Sequence, residues 1–350
     1  MSNAHVLHPI PDPRSLIPLS LMDVSIVIPT WRGRHLLETY LPSVLEACNQ
    51  YRRGREAQAE IVVVDDAGGD DTPQWLRSAY PMQIRLVELQ QNRGFSGACQ
   101  AGFEAARFPV ILLLNNDVRL KTDCIAPLVE HFADPKVFAV TGRLFNQKGD
   151  VFCNGGKIAR FRHGMWSTYE NYDLLPGVNP NALSLLSFTA IGAFSAFDRA
   201  KLLEVGGFDP LTAMIEDVEI SYRGWKRGWY VIFEPRSIAY HDASQTMDRR
   251  YRRRSLDKLS RRSRILMHWM LLHDKKMFHR HVAQILGRFL TAWLLLDWRF
   301  YWAIFTGTGY LPTILRKRQS TRRTMVRSDR ELLLLLEEFY RTAPIALRND

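Results

Sequence analysis

Four short apolar runs before residue 120 each give way to a helical pattern or a turn. Val24–Pro29, Glu60–Asp66, Ile84–Glu88 and Val110–Leu114 have the length and apolar continuity of strands. Val110–Leu114 is apolar throughout, which fits a strand buried on both faces. Leu36, Leu37, Tyr40, Leu41, Val44 and Leu45 recur at helical spacing. Thr72-Pro73 opens a second helix with a cap and an N1 proline. A third helix, Ala98–Arg107, follows the turn Gln91–Gly97. This alternation predicts an α/β fold around a parallel, doubly wound sheet.

Beyond residue 120 the pattern is less regular. Val137–Thr141 and Val151–Ile158 read as strands, and Phe161–Ser184 as a long connection of the kind that forms lids or binding loops. Phe188–Phe197 reads as an apolar strand with small residues, Gly192 among them, where something can approach the backbone closely. Val205–Pro210 is a turn. A helix opens over Ile215–Arg223 with acids in its first turn and ends at Gly228. Tyr230–Glu234 and Ile238–His241 are short strands. Composition shifts near Asp248. Arginines crowd residues 249 to 264, Trp-rich helical sequence runs to about Phe305, a second basic cluster spans Arg316–Arg323, and a final helix covers Glu331–Tyr340. The predicted organisation is a Pro-rich lead-in (1–22), two halves of one α/β domain (23–120 and 121–245) and a basic, Trp-rich helical extension (246–350).

Two strands end in polar clusters, Asp65-Asp66 and Asn115-Asn116-Asp117. Ligands of open α/β sheets bind at such strand ends. A carboxylate beside two amides suits a hydrated divalent cation carrying phosphates, although the same residues are ordinary turn formers. Glu216 and Asp217 likewise suit a site, or simply the dipole of their helix. No G-x-G-x-x-G follows the first strand and no P-loop is present, so a dinucleotide is a poor fit. The net charge of +11 on 350 residues leaves anionic membrane, nucleic acid and phosphorylated substrates as partner classes. Cys48, Cys99, Cys124 and Cys153 form no C-x-x-C pair, which fits a reducing compartment. No signal peptide is expected, since Pro9, Pro11, Pro13 and Pro18 interrupt the N-terminus. No stretch gives the ~18 uncharged apolar residues of a spanning helix. The nearest, Phe289–Phe305, is interrupted by Asp297 and Arg299.

Taken in order, these motifs resemble the family 2 glycosyltransferases of GT-A fold over about residues 23 to 245. The matching residues are Val24–Thr30, Val63–Gly69, Asn92–Gly97, Asn115–Asp117 at the position of a D-x-D motif, Gly206–Asp209, Glu216–Arg223 and His241 with Ser244 behind it. The Asn-Asn-Asp form is similar to the rhamnosyltransferase-like branch. The resemblance implies a Rossmann-like, mostly parallel mixed sheet flanked by helices, and an inverting transfer from a nucleotide-diphosphate sugar. It gives nucleotide contacts to Pro29, Thr30, Asp65, Asp66, Arg93 and Asn115, and a divalent metal, Mg or Mn, to Asp117 and His241. It gives acceptor contacts to Glu216 and Gly192, and the general base to Asp217. For His241 a plain hydrogen-bonded histidine at a strand end is an equal alternative. The chain departs from the family pattern at Trp31-Arg32-Gly33, at Asn115 and at Glu219.

The resemblance further implies a glycan or glycolipid acceptor in cell-envelope synthesis at the cytoplasmic face. No nucleic-acid partner is expected, because no recognition motif accompanies the arginines. Two flanking basic clusters make the Trp-rich extension a candidate for an anionic membrane surface, against the alternative of a buried helical core. A sugar-nucleotide pyrophosphorylase and a basic nucleic-acid-binding protein are the competing functions.

Overall fold

The computed structural model describes residues 22–53, 56–175, 184–242 and 253–343. Most of the lead-in, Ser244 and Arg249, Arg250 and Arg252 lie outside them. The four apolar runs become β1 (Val24–Thr30), β2 (Ala59–Asp65), β3 (Ile84–Glu88) and β4 (Val110–Leu114), joined by α1 (Arg34–Arg52), α2 (Thr72–Ala79) and α3 (Gly94–Ala105). These strands are parallel in the order β3-β2-β1-β4. β1, β2 and β4 are buried along their whole length because helices cover both faces. Helix α3 starts at Gly94, earlier than expected. Gly94 takes φ +69°, which turns the chain into the helix directly after Arg93.

The second half continues the sheet with a reversal. β6 (Val137–Asn146) and β12 (Tyr230–His241) pair in parallel, and β11 (Phe194–Asp198) runs antiparallel between β6 and β4. The two short strands expected after Gly228 are this one strand β12, with an irregularity between Phe233 and Ile238. Short β5 (Val118–Leu120) lies antiparallel to the end of β12, β7 (Phe152–Asn154) borders β6, and β10 (Leu185–Leu186) borders β12. Helices α4 (Ile125–Val129), α5 (Arg199–Glu204) and α6 (Glu216–Lys226) complete this half. The result is the expected mixed sheet flanked by helices, with a helical C-terminal region.

Three further expectations change. The strand over Val151–Ile158 breaks at Gly155-Gly156, since a Cβ on Gly156 would fall within 2.5 Å of the Phe233 ring. Much of the supposed long connection is a hairpin, β8 (Lys157–Arg162) and β9 (Met165–Asn171). His163 and Gly164 both take positive φ at its tip, as a tight two-residue hairpin turn requires. Only the end of Phe188–Phe197 is a strand. Residues 187 to 193 leave the sheet, and the Ala190 N–H donates to Ser221 Oγ of α6 at 3.0 Å.

The C-terminal helices are α7 (Arg253–Leu271), α8 (Lys275–Thr291), α9 (Trp298–Thr308), α10 (Leu311–Thr324) and α11 (Asp329–Thr342). Leu266, Met270, Leu332 and Leu336 join the same hydrophobic core as the sheet. Asp329, fully buried, ties them to α6: it pairs with Lys226, accepts from Tyr222, and accepts from the backbone N–H groups of His273 and Asp274 at 2.6 and 2.7 Å. A buried ion pair with its remaining lone pairs satisfied fixes geometry more than it adds stability. Ser263 of α7 donates to the Ala213 carbonyl at 2.8 Å, and Lys317 of α10 pairs with Asp209 at 2.7 Å. These helices therefore buttress the segment that leads into α6.

Candidate functional site

The C-terminal ends of β1 and β2 form one wall. β1 pairs with β4 only as far as Val27, so the sheet opens before Pro29 and Thr30. Pro29 is buried within β1. The Asp66 N–H donates to the Thr30 carbonyl at 2.9 Å. Asp66 Oδ1 accepts the Arg93 N–H at 2.6 Å, and its carbonyl accepts from the Asn92 amide at 3.0 Å. Arg93 thus touches this wall through its backbone, and the residue is exposed. Asp65 Oδ2 accepts from the Gly68 N–H at 3.2 Å, while its buried Oδ1 has no hydrogen-bond partner. Burial raises the Asp65 pKa, with Asp70, Glu88 and Asp66 adding to it against the Gly68 N–H. The residues that depart from the family pattern latch the loop. Arg32, at φ +50°, donates from Nε to the Gly68 carbonyl at 2.9 Å. A Cβ on Gly33 would lie 2.1 Å from Thr30 Oγ1 and 2.5 Å from Asn116 Nδ2.

That second atom belongs to the adjoining wall, the loop from β4 to β5. Asn116 Nδ2 donates to Thr30 Oγ1 at 2.8 Å. The Asn115 N–H donates to the Ala193 carbonyl at 3.1 Å, and Asn115 Oδ1 is buried with no hydrogen-bond partner. Asp117 Oδ1 stands 3.1 Å from His241 Nε2. Pairing of β5 with β12 sets Val118 opposite His241, which is why residues 124 positions apart meet. Asp242 N–H donates to the Asp117 carbonyl at 3.1 Å, and Tyr40 donates to the Asp242 carboxylate at 3.2 Å. Tyr40 enters the sequence pattern only as one position of a helical periodicity and Asp242 does not enter it; nothing in their spacing marks them.

The acids of α6 form the third wall. Met214 enters at φ +78°, a conformation unusual for a side chain with a Cβ. Asp217 Oδ1 accepts from the Val218 N–H at 2.8 Å and Oδ2 from the Gly192 N–H at 3.4 Å. Burial raises the Asp217 pKa, opposed by those two amides and by Lys157 of β8. Lys157, half-buried, is pushed down by burial and held up by Asp217. The sequence offered only a lone lysine in Gly-Gly-Lys-Ile-Ala as its signal. Glu216 keeps Oε2 buried and without a hydrogen-bond partner, and its pKa rises to about 7, first through burial and then through Asp217. Glu219 turns elsewhere: 1% exposed, it is gripped by Arg223 at 2.7 and 2.6 Å, and Arg223 also holds the Gly207 carbonyl at 2.6 Å. Glu219 is an anchor for the Gly206–Asp209 turn.

The raised Glu216 pKa sets a pH dependence of stability. The folded protein keeps this proton above the unfolded value of 4.5, so stability falls as pH rises from there through about 7. Glu216→Gln removes the buried charge. It should raise unfolding free energy by on the order of 1–3 kcal/mol at about pH 8 and change it little at about pH 4. Urea denaturation at both values measures it. An equal effect at both ends rules out the titration of Glu216 as the cause.

The comparisons with known proteins agree with this picture. A profile of the family described as Glycosyl transferase family 2 matches residues 25–206. Poly-beta-1,6-N-acetyl-D-glucosamine synthase of Staphylococcus aureus strain COL is 27% identical over 195 residues, covering 54% of this chain and 44% of that protein. The protein of the same name from Staphylococcus epidermidis is 25% identical over 197 residues, 54% of this chain and 44% of the relative. The chain thus spans under half the length of these curated relatives. Among solved structures, a mannosyltransferase of Pyrobaculum calidifontis in complex with GDP-Man and Mn²⁺ aligns with TM-score 0.52 at 19% identity, covering 89% of this chain and 88% of that one. GalNAc-T7 with UDP, GalNAc and Mn²⁺ aligns with TM-score 0.55 at 19% identity over 73% of this chain and 49% of that one. Residues 1–349 of S. aureus TarS align with TM-score 0.52 at 13% identity over 91% of each chain. These likenesses establish the GT-A fold. A profile match across more than half of the chain makes this protein a member of glycosyl transferase family 2.

Proposed function

We propose that this protein transfers a sugar, with inversion, from a nucleotide-diphosphate sugar to a hydroxyl of a glycan or glycolipid in cell-envelope synthesis, at the cytoplasmic face of a membrane. One observation carries most of the weight: hydrogen bonds linked through the adjoining residues Asn115-Asn116 and Gly192-Ala193 join the three walls. They run from Asp66 to Thr30, from Thr30 to Asn116, from Asn115 to Ala193 and from Gly192 to Asp217. A nucleotide group, a diphosphate group and a reacting hydroxyl can therefore be held at fixed distances from one another. In this reading residues 23–120 hold the donor and residues 121–245 the acceptor.

The unpartnered oxygens of Asp65 and Asn115 offer acceptors to base and ribose, beside Thr30, Asp66 and Arg93. Asp117 and His241 supply the oxygen and nitrogen donors that suit a divalent ion, Mg or Mn, and their direct contact fits a site that such an ion would share. Such an ion, when bound, neutralises the diphosphate as it leaves. Among the described residues no group of three or more His, Cys, Asp or Glu could hold a metal. In this reading Asp117 and His241 are the two residues that would hold the ion. Asp217 removes the proton from the acceptor hydroxyl as its oxygen bonds to the anomeric carbon, while the bond from that carbon to the diphosphate oxygen breaks. Direct displacement with one base inverts the anomeric centre. Glu216 and the Gly192 backbone orient the acceptor.

The relatives support the substrate class, since one group is named for poly-beta-1,6-N-acetyl-D-glucosamine synthesis and two solved neighbours hold UDP or GDP-Man with Mn²⁺. A thermal-shift screen of nucleoside diphosphates with Mg²⁺ or Mn²⁺ tests the reading, because a ligand of the native state raises the melting temperature. The expected result is one base preferred, with a shift that depends on the metal. No shift with any nucleoside diphosphate and either ion defeats it.

A further inference from the structure

The C-terminal helices carry an exposed apolar ridge. Val282, Leu286 and Leu290 recur every four residues along α8, and all three are exposed. The turn that follows carries Trp293, Leu294, Leu295 and Leu296, between 57% and 70% exposed. Phe305 of α9 extends this ridge through an edge contact with Phe289, ring centroids 6.3 Å apart. The inner seam of α8 is already satisfied: Ile285 and Phe289 pack against the small core of Ile265, Ala292, Phe300 and Ala303. The outer stripe packs against neither hydrophobic core.

The ridge is ordered. Leu296 N–H bonds the Trp293 carbonyl at 3.1 Å, Asp297 N–H bonds the Ala292 carbonyl at 2.9 Å, and Leu296 itself takes φ +49°. Asp297 anchors the turn between Arg261 at 2.8 Å and Arg288 at 2.6 Å. From Lys275 to Met325 it is the one acid among ten lysines and arginines. Its charge is thus matched locally; Arg299 and Lys317 pair with Asp257 and Asp209, and the remaining lysines and arginines leave the segment that carries the ridge net cationic.

We propose that this ridge seats in the headgroup boundary of an anionic lipid membrane, with α8 lying in the plane and Trp293–Leu296 entering deepest. Soluble monomers rarely leave a contiguous apolar patch of this kind exposed. An amphipathic helix with Leu and Trp on one face and basic residues around it is the form that interfacial helices take. No described helix is long and apolar enough to cross a membrane, so the ridge lies on it. Charge selects the occupant: a second copy of the chain would bring like charge against like, whereas an anionic leaflet complements it. The inference deepens the proposed location and does not depend on the transfer reaction.

The test is cosedimentation of the full chain with vesicles of phosphatidylcholine alone and with added phosphatidylglycerol, at low and high salt, alongside Leu294→Asp/Leu295→Asp. Both positions are exposed, so the double variant should fold; far-ultraviolet circular dichroism and its melting temperature check this. The expected results are binding that requires phosphatidylglycerol, weakening with salt as exposed charges are screened, and a loss of roughly tenfold or more in the variant. Tryptophan emission of the wild type should shift to the blue on binding. Absence of binding to phosphatidylglycerol vesicles overturns the proposal, as does equal binding by the folded variant. A wild-type dimer in solution that the variant disrupts, with no vesicle binding, assigns the ridge to a second copy instead. Vesicle binding without transfer from any donor leaves this inference standing while the proposed reaction falls.

Discussion

Asp217→Asn should lower transfer turnover by about 10²–10⁴-fold, the usual contribution of a general base, while donor affinity stays close to wild type. Asn keeps the shape of the side chain and can still accept through its one oxygen from either the Val218 or the Gly192 N–H group, while its Nδ2 cannot accept from the other. What it loses is basicity. Burial raises the Asp217 pKa above the ordinary carboxylate value of 3.8, and Lys157 restrains the rise. Turnover of the wild type should therefore fall as pH drops, with its acid limb above that value; the limb should be missing from the residual activity of the variant. Glu219→Gln behaves differently, because it leaves the half-buried Arg223 without its charged partner, so its cost should appear in stability before turnover. The measurement is steady-state transfer together with a separate donor titration. A variant that keeps most of its turnover sinks the assignment. One that loses donor binding in proportion moves Asp217 into the nucleotide site.

Asp117→Asn should abolish the metal-dependent part of nucleoside-diphosphate binding and leave the fold intact. Asp117 is the sole carboxylate in Asn115-Asn116-Asp117, so nothing else in that loop can supply charge to a cation. The scaffold survives because it rests on other atoms: the Asp117 carbonyl accepts from Asp242 N–H, and Asn116 continues to hold Thr30. An Asn at 117 can still hydrogen-bond His241, which separates loss of charge from loss of contact. The readout is the melting-temperature shift by nucleoside diphosphate with and without Mn²⁺. An unchanged difference between the two conditions means that Asp117 is not the ligand.

The residues alone determined much of the first half, residues 23–120. β1, β2 and β4 are buried on both faces, so each is a continuous apolar run, and the chemistry-bearing residues follow immediately where the run ends. Local periodicity and local motif order were enough there, because strand, turn and helix entry all lie within a few residues of one another. The second half resisted the same treatment. β6 neighbours β11 and β12, partners fifty and ninety residues distant, and pairing across such spans leaves no periodic trace. The β8–β9 hairpin turns on His163-Gly164, whose positive φ values no flanking pattern announces. Asp117 meets His241, and Gly192 meets Asp217, only because β5 docks on β12 and residues 187 to 193 peel off the sheet over α6. The extension makes the same point about surfaces. Its Leu- and Trp-rich sequence is equally compatible with a core and with an interface. Only tertiary packing, which half-buries Ile285 and Phe289 and leaves Leu286, Leu290 and Trp293–Leu296 outside, decides which face each residue occupies, because burial depends on neighbours that the local sequence does not contain.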